Sequence, residues 1–268
     1  MMYAKGTPSA HRSPLDESTH VISNALDLTR KLLARLGCKD ESLEKSLLGM
    51  DLRMDWTIVP SEEAEAEKLL NQIGIRHNDI LVGCVAGGGN NPARNESLMR
   101  QWGGDQFREL VRRILHSTKV HVILFGAVHD KEVSAEVCRG NEGGVFNLAG
   151  CTSVRVAAAV MAKCRLVITN DTGPMHIAGA LGVPLVAVFG ATGALQKLPP
   201  GTNFFGVQSP LECSPCYYSV FKGCIYPTIR CMAAVEVDTV LDIVLRLLAN
   251  PPQTGRFILS PENVRRGK

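Results

Sequence analysis

No apolar stretch of this chain approaches the roughly 20 residues that a membrane-spanning helix needs, so none is expected. The start, Met1-Met-Tyr-Ala-Lys-Gly-Thr-Pro, has no apolar run behind a basic end, and no secretory leader is expected. A large excess of one charge is missing too. The net charge of +3 is too small to argue for a nucleic-acid partner, although it suits modest attraction to phosphates. No Gly-Lys-Ser/Thr follows a glycine-rich loop at Walker spacing, and no Gly-x-Gly-x-x-Gly is found, which argues against a P-loop enzyme and a dinucleotide dehydrogenase. Internal repeats and low-complexity tracts are also absent. The nine cysteines, with no leader before them, favour a reducing compartment over a disulfide framework. A cytoplasmic location follows as the expectation.

What is there is an ordinary globular composition. Apolar residues make up 45% of 268, enough for one large domain or two small ones. Residues 1–18 are polar and read as a flexible N-terminus. Within 19–54, Val21, Ile22, Ala25, Leu26, Leu32 and Leu33 recur at helical spacing, and Gly37 ends the helix. Asp55–Val59 reads as a short strand, and Pro60 opens a helix with an acidic first turn. From Ile80 the pattern alternates strand and helix. Strands are expected at 80–86, 120–125, 145–148, 166–169 and 184–189, and helices at 105–117, 130–138 and 153–163. That alternation predicts an α/β fold, a Rossmann-like parallel sheet with helices on both faces, spanning 55–250. Val235–Leu248 is an amphipathic closing helix, and 251–268 reads as a frayed tail.

The chain is organised around Leu166-Val-Ile-Thr-Asn-Asp-Thr-Gly-Pro-Met-His176 and the Ala-Gly-Ala-Leu-Gly-Val-Pro that follows. It reads as a strand to Thr169, a turn over Asn170–Gly173, and a helix with Pro174 in its first turn. Such a unit puts the helix N-terminus at the carboxyl edge of the sheet, where open α/β folds bind ligands. Backbone N–H groups of Thr172, Gly173 and Met175 are expected to lack helical partners there, and the helix dipole favours an anion. Gly173 permits close approach, and His176 sits one turn in. A phosphate or pyrophosphate is the ligand this geometry suits. The alternative is that Asp171 merely caps a structural helix.

Asn170-Asp-Thr-Gly-Pro-Met-His176, with Val-Phe-Gly190 after the next strand, resembles the signature of family 9 glycosyltransferases, the ADP-heptose:lipopolysaccharide heptosyltransferases. The similarity runs from about Ile80 to Leu248. It implies a GT-B architecture of two Rossmann-like domains across a cleft, this chain matching the C-terminal, donor-binding one. Asp171, Thr172, Gly173 and His176 are then donor-site residues facing the diphosphate. In the family, a helix like that in 19–54 lies near the link between the domains. A complete member needs a further domain of about 150 residues before it. The chain therefore looks like a donor-binding half lacking most of the N-terminal domain, with a separate partner chain, a truncated gene or a non-catalytic remnant left open. The family's catalytic base, an Asp in an N-terminal glycine-rich loop, has no counterpart here.

Gly87-Gly88-Gly89, between a strand and a helix, lets backbone amides approach a ligand, and Arg94 or Arg100 could neutralise phosphate. The family loop ends in Lys/Arg-x-Trp with its basic residue on the diphosphate, and Arg100-Gln-Trp102 matches that pattern. The other reading is a surface loop with Trp102 as a packing anchor. Resemblance also places the nucleoside near Asp130, Leu148 and Gly150. Asp130 would accept from a ribose hydroxyl or, the favoured reading, cap the next helix. Cys213-x2-Cys216-x7-Cys224-x6-Cys231, within 211–232, has ligand types for a structural zinc; reduced thiols or a disulfide are the alternatives.

The implied function is transfer of a heptose-type sugar from an ADP-activated donor to a lipopolysaccharide-core or similar glycan or glycolipid acceptor. The implied chemistry inverts the anomeric carbon and needs no metal cofactor, which the lack of Asp-x-Asp fits. Peripheral attachment at the inner membrane face is compatible with the closing helix, although a core-facing stripe explains that helix better.

Overall fold

The computed structural model describes residues 21–36, 53–89, 97–201, 203–216, 224, 226, 228–250 and 256–259. The chain divides into two units, 1–52 and 53–268. In the first, α1 (Val21–Arg35) is the expected helix, carrying an i,i+4 pair of Asp27 with Lys31 at 2.6 Å. The expectation of a flexible 1–18 lies outside the described residues.

The second unit holds α2 (Pro60–Gln72), β1 (Ile80–Val85), α3 (Ser97–Arg100), α4 (Gly104–Ser117) and β2 (Val120–Leu124). A single 3₁₀ turn (Val128–Asp130) leads into α5 (Lys131–Cys138). Then come β3 (Val145–Asn147), α6 (Val154–Met161), β4 (Leu166–Asn170), α7 (Gly173–Ala180) and β5 (Leu185–Phe189). The chain continues through α8 (Ala194–Lys197), β6 (Phe204–Gln208), α9 (Arg230–Ala233), α10 (Val237–Ala249) and β7 (Arg256–Leu259).

All strand pairs are parallel, in the order β3-β2-β1-β4-β5-β6-β7. The strands are apolar on both faces, as a doubly covered sheet requires. Side chains alternate along β1: Val82 and Cys84 join one core, Leu81 and Val85 the other. The first core is roofed by α4 through Phe107, Leu110, Val111 and Ile114, at the i, i+3, i+4, i+7 spacing of a helical stripe, and by α10 through Val240 and Val244. The second is roofed by Ala66 and Leu70 of α2, Ala159 and Val160 of α6, and Met175 and Ala178 of α7. Helix starts follow local chemistry. Ser153 accepts the Val156 N–H at 3.2 Å, and the Glu62 carboxylate accepts the Val59 N–H at 3.1 Å beneath α2.

Four sequence expectations are corrected. Asp55–Val59 forms no strand; the Thr57 carbonyl accepts from Arg155, which also pairs with Glu62 and stacks over Trp56 at 5.0 Å. β6 was not expected, its β signal being cut short by Pro199, Pro200 and Gly201 before it and Gly206 within it. The tail over 251–268 carries β7, because β6 would otherwise present an unpaired edge and Phe257–Leu259 suits a strand. Asn170 is the last residue of β4, paired with Val188 of β5, not the first of a turn.

Candidate functional site

The strand order fixes where a ligand can sit. The chain runs from β1 outward to β2 and β3, then crosses back over β1 to β4 and proceeds the other way. The carboxyl ends of β1 and β4 therefore flank the point where the winding reverses, and the loops there splay apart into a crevice. The β1–β4 ladder ends at Val85 opposite Thr169. Beyond it stand Gly87–Gly89 on one side and Asp171–Gly173 on the other.

Helix α7 begins at Gly173 with Thr172 as its N-cap residue, and among the described residues no side chain caps it. This disposes of the purely structural reading in which Asp171 caps the helix. Among the described residues nothing accepts a hydrogen bond from the N–H of Thr172 or Gly173. The Met175 N–H, expected to be free, instead donates to the Thr172 carbonyl at 3.1 Å; the turn over Pro174 closes on itself and spends that donor. Gly173 is exposed, and a Cβ built on it would meet nothing within 4 Å. The space above the helix tip is therefore open.

Arg100, the last residue of α3, reaches that tip. Its Nη1 lies 3.4 Å from the Asp171 carbonyl, and its Nε is buried with no hydrogen-bond partner among the described residues. Gly89, at φ +73°, completes the group: a Cβ on it would lie 3.7 Å from Arg100 Nη2 and 3.8 Å from Thr172 Cγ2. Gly88, Gly89, Arg100, Thr172 and Gly173 thus belong to one constellation drawn from three loops. Arg94 falls outside the described residues. His176 is half-buried on α7. Burial pulls its pKa below the usual imidazole value, the nearby Asp171 pushes it up, and Lys197 of α8 pulls it down.

Asp130 is buried and stands at the N-cap position of α5, but its side chain does not cap that helix as expected; its Oδ2 instead accepts the Ala127 N–H at 2.8 Å and closes the 3₁₀ turn before it. Its carboxylate also packs over the glycine loop: a Cβ on Gly87 would come within 2.2 Å of Asp130 Oδ1. A cavity of about 400 Å³ opens beside it, lined by Gly88, Gly89, Gln101, His129, Asp130 and Glu132. Leu148 and Gly150 stand at the same sheet edge but outside that cavity. The Leu148 N–H donates to Leu124 and the Gly150 N–H to Gly126, so both serve the β2–β3 edge. Trp102 is the packing anchor that the second reading described, 1% exposed, edge-on to Phe107 at 5.1 Å, with its indole N–H donating to the Val235 carbonyl at 2.9 Å.

The four cysteines of 211–232 gather under the exit of β5. The Cys216 N–H donates to the Ala191 carbonyl, and Cys231 Sγ lies 3.0 Å from where a Gly190 Cβ would stand. Burial raises the Cys216 and Cys231 thiols, the latter to about 11, and neighbouring cysteines add to both shifts. Among the described residues no three His, Cys, Asp or Glu side chains are already arranged to hold a metal ion. The sequence alone missed His129 and Gln101 in the cavity and the part played by Asn170. His129 carried a faint signal beside Asp130; the other two had none, since only the folded chain brings them there.

No helix among the described residues is long and apolar enough to cross a membrane. The family model for glycosyltransferase family 9 (heptosyltransferase) matches residues 91–223. Lipopolysaccharide heptosyltransferase 2 of Escherichia coli is 27% identical over 155 residues, covering 56% of this chain and 42% of that protein. Lipooligosaccharide heptosyltransferase 2 of Haemophilus influenzae is 32% identical over 149 residues, covering 54% and 41%. The chain thus spans about two fifths of the length of these curated relatives. The crystal structure of a family 9 glycosyl transferase from Veillonella parvula superposes with a TM-score of 0.65 at 22% identity, over 88% of this chain and 62% of that one. With the switch-point crevice and the Asp171–His176 motif already in place, residues 91–223 are similar to glycosyltransferase family 9 (heptosyltransferase), and the fold is that of the Veillonella parvula family 9 structure.

Proposed function

We propose that this chain forms the donor site of a transferase that moves a heptose-type sugar from an ADP-activated donor to a lipopolysaccharide-core or similar glycan acceptor. The observation that carries this is the uncapped first turn of α7, with Gly173 open above it and the unsatisfied Arg100 Nε beside it. A leaving diphosphate gains negative charge as the sugar departs. Donors fixed in advance around it stabilise that charge without reorganising. Thr172 and Gly173 supply amides, Arg100 a fixed cation, and His176 a second donor once protonated. The nucleoside extends from the glycine loop into the cavity at Asp130, whose free Oδ1 meets a ribose hydroxyl, with Leu148 and Gly150 framing the base. The acceptor hydroxyl needs a base to take its proton; no residue of this chain is assigned to it. The two relatives named above, heptosyltransferases by name, support the sugar class. A cytoplasmic location, with peripheral attachment at the inner membrane face, belongs to the same proposal.

The test is transfer of radiolabelled heptose from its ADP donor to a core oligosaccharide. Assays of the chain alone and with a separately expressed N-terminal half are both needed. Transfer in either form supports the reading. ADP binding without transfer in both would leave a nucleotide-sugar-binding module. The structural zinc expected on Cys213, Cys216, Cys224 and Cys231 is tested by metal content. Zinc retained through gel filtration supports it; four thiols titrating freely with no metal released reject it.

A further inference from the structure

We infer that Asn170 is the positioning residue that assembles this site before any ligand arrives. The inference rests on the donor-site reading above. Asn170 is completely buried at the end of β4. Its side-chain nitrogen donates to the carbonyls of Ala86 and Gly87, both at 3.0 Å. Its side-chain oxygen accepts the Trp102 N–H at 3.1 Å. Three segments distant in sequence meet on one amide: the glycine loop after β1, the Arg100–Trp102 segment, and the end of β4 from which the Asp171–Gly173 turn leaves.

The location explains why an amide is needed. Ladder bonding between β1 and β4 stops at Val85 and Thr169, one residue earlier. Past that point the crevice opens and the Ala86 and Gly87 carbonyls lose their strand partner. A buried carbonyl without a partner is costly. The Asn170 side chain takes over from the ladder, holding the loop at a fixed distance while leaving the space above it empty. An amide alone among side chains of this size offers two hydrogens on one atom and an acceptor in the same plane. An aspartate would set its charge against two carbonyl oxygens. Trp102 is pinned from its far side by the Val235 carbonyl, so the Asn170 bond fixes its backbone. Arg100 lies two residues upstream and its guanidinium is thereby set against the Asp171 carbonyl. The glycine loop, the cation and the helix tip keep their spacing through one side chain that touches no ligand.

The experiment uses Asn170→Asp and Asn170→Ser in a Trp56→Phe background, where Trp102 is the sole tryptophan. Leu185→Ala, a core truncation at the opposite end of β5, controls for stability alone. Circular dichroism selects conditions in which each variant is folded; calorimetry then reads ADP affinity and acrylamide quenching reads access to Trp102. Both Asn170 variants are expected to lose about tenfold or more in ADP affinity and to quench more readily. Leu185→Ala should melt earlier yet bind ADP as the parent does. Folded Asn170 variants with parental affinity and quenching overturn the inference, as does an equal affinity loss in Leu185→Ala. A parent that binds no ADP rejects the donor-site reading. Trp102 then decides alone: greater quenching in the folded variants upholds the assembly role and unchanged quenching overturns it.

Discussion

In the proposed donor site Arg100 and His176 are the side chains that supply positive charge, and they act differently. Arg100 brings a guanidinium fork, and its Nε has no partner among the described residues. Arg100→Ala should weaken ADP binding by about 1.5–3 kcal/mol, the usual worth of a hydrogen bond to a charged group. Arg100→Lys should fall between, restoring charge but not the planar fork; equal affinity in all three would remove Arg100 from the site. His176 is tuned by burial. Its folded-state pKa lies below the ordinary 6.5, with Asp171 opposing that shift and Lys197 reinforcing it. Well above the ordinary 6.5, from about pH 8, the imidazole is neutral folded or unfolded and contributes nothing to pH dependence. Below it the unfolded chain takes the proton first, so stability falls as pH drops until the folded-state value is passed. His176→Gln should flatten that part of the curve in urea titrations, and an unchanged slope would contradict the assignment. The strand, turn and helix that carry Asp171, Thr172, Gly173 and His176 were legible in the sequence because their chemistry is local. The free Met175 N–H was misjudged, since the turn over Pro174 supplies its own acceptor. Asn170 was legible only as turn chemistry, because its three partners lie 68 to 84 residues away.

Strands and helices that bury a strong periodic pattern were read correctly, and the reason is burial. Leu166–Thr169 and Leu185–Phe189 are β-branched or apolar throughout, and every residue of β4 and β5 is buried. Leu185→Ala in β5 should cost about 2–5 kcal/mol by denaturant titration, the sum of lost transfer energy and a cavity; a cost below 1 kcal/mol would mean the strand is less tightly enclosed than it looks. β6 and β7 were missed because their signals are short and bracketed by proline or glycine, and only the neighbouring strand makes them worth forming. Asp55–Val59 failed in the opposite way: its alternation suits a strand, but its Thr57 carbonyl is engaged by the Arg155 side chain. Arg155 in turn salt-bridges Glu62 of α2.

At the scale of the molecule, the seven parallel strands among the described residues reverse their winding between β1 and β4 and leave a crevice at the switch, and the glycine loop, Arg100 and the α7 tip all converge on it. The same enclosure grades the thiols. Cys84 is completely buried, and burial raises its pKa strongly; Cys164, also buried, is pushed up to about 12; Cys151 is exposed. Alkylation of the native protein near neutral pH, read by mass spectrometry, should label Cys151 well before Cys84 or Cys164; simultaneous labelling would mean the sheet opens readily. The central claim is that backbone amides at the start of α7 grip a diphosphate, and calorimetry of ADP binding to Gly173→Val tests it most directly. A Cβ at this position meets no neighbouring atom within 4 Å, so the variant should still fold, with some loss of melting temperature from a branched residue before Pro174, while affinity falls by about a hundredfold or more, some 2.7 kcal/mol. A folded Gly173→Val that binds ADP as tightly as the parent would contradict the account.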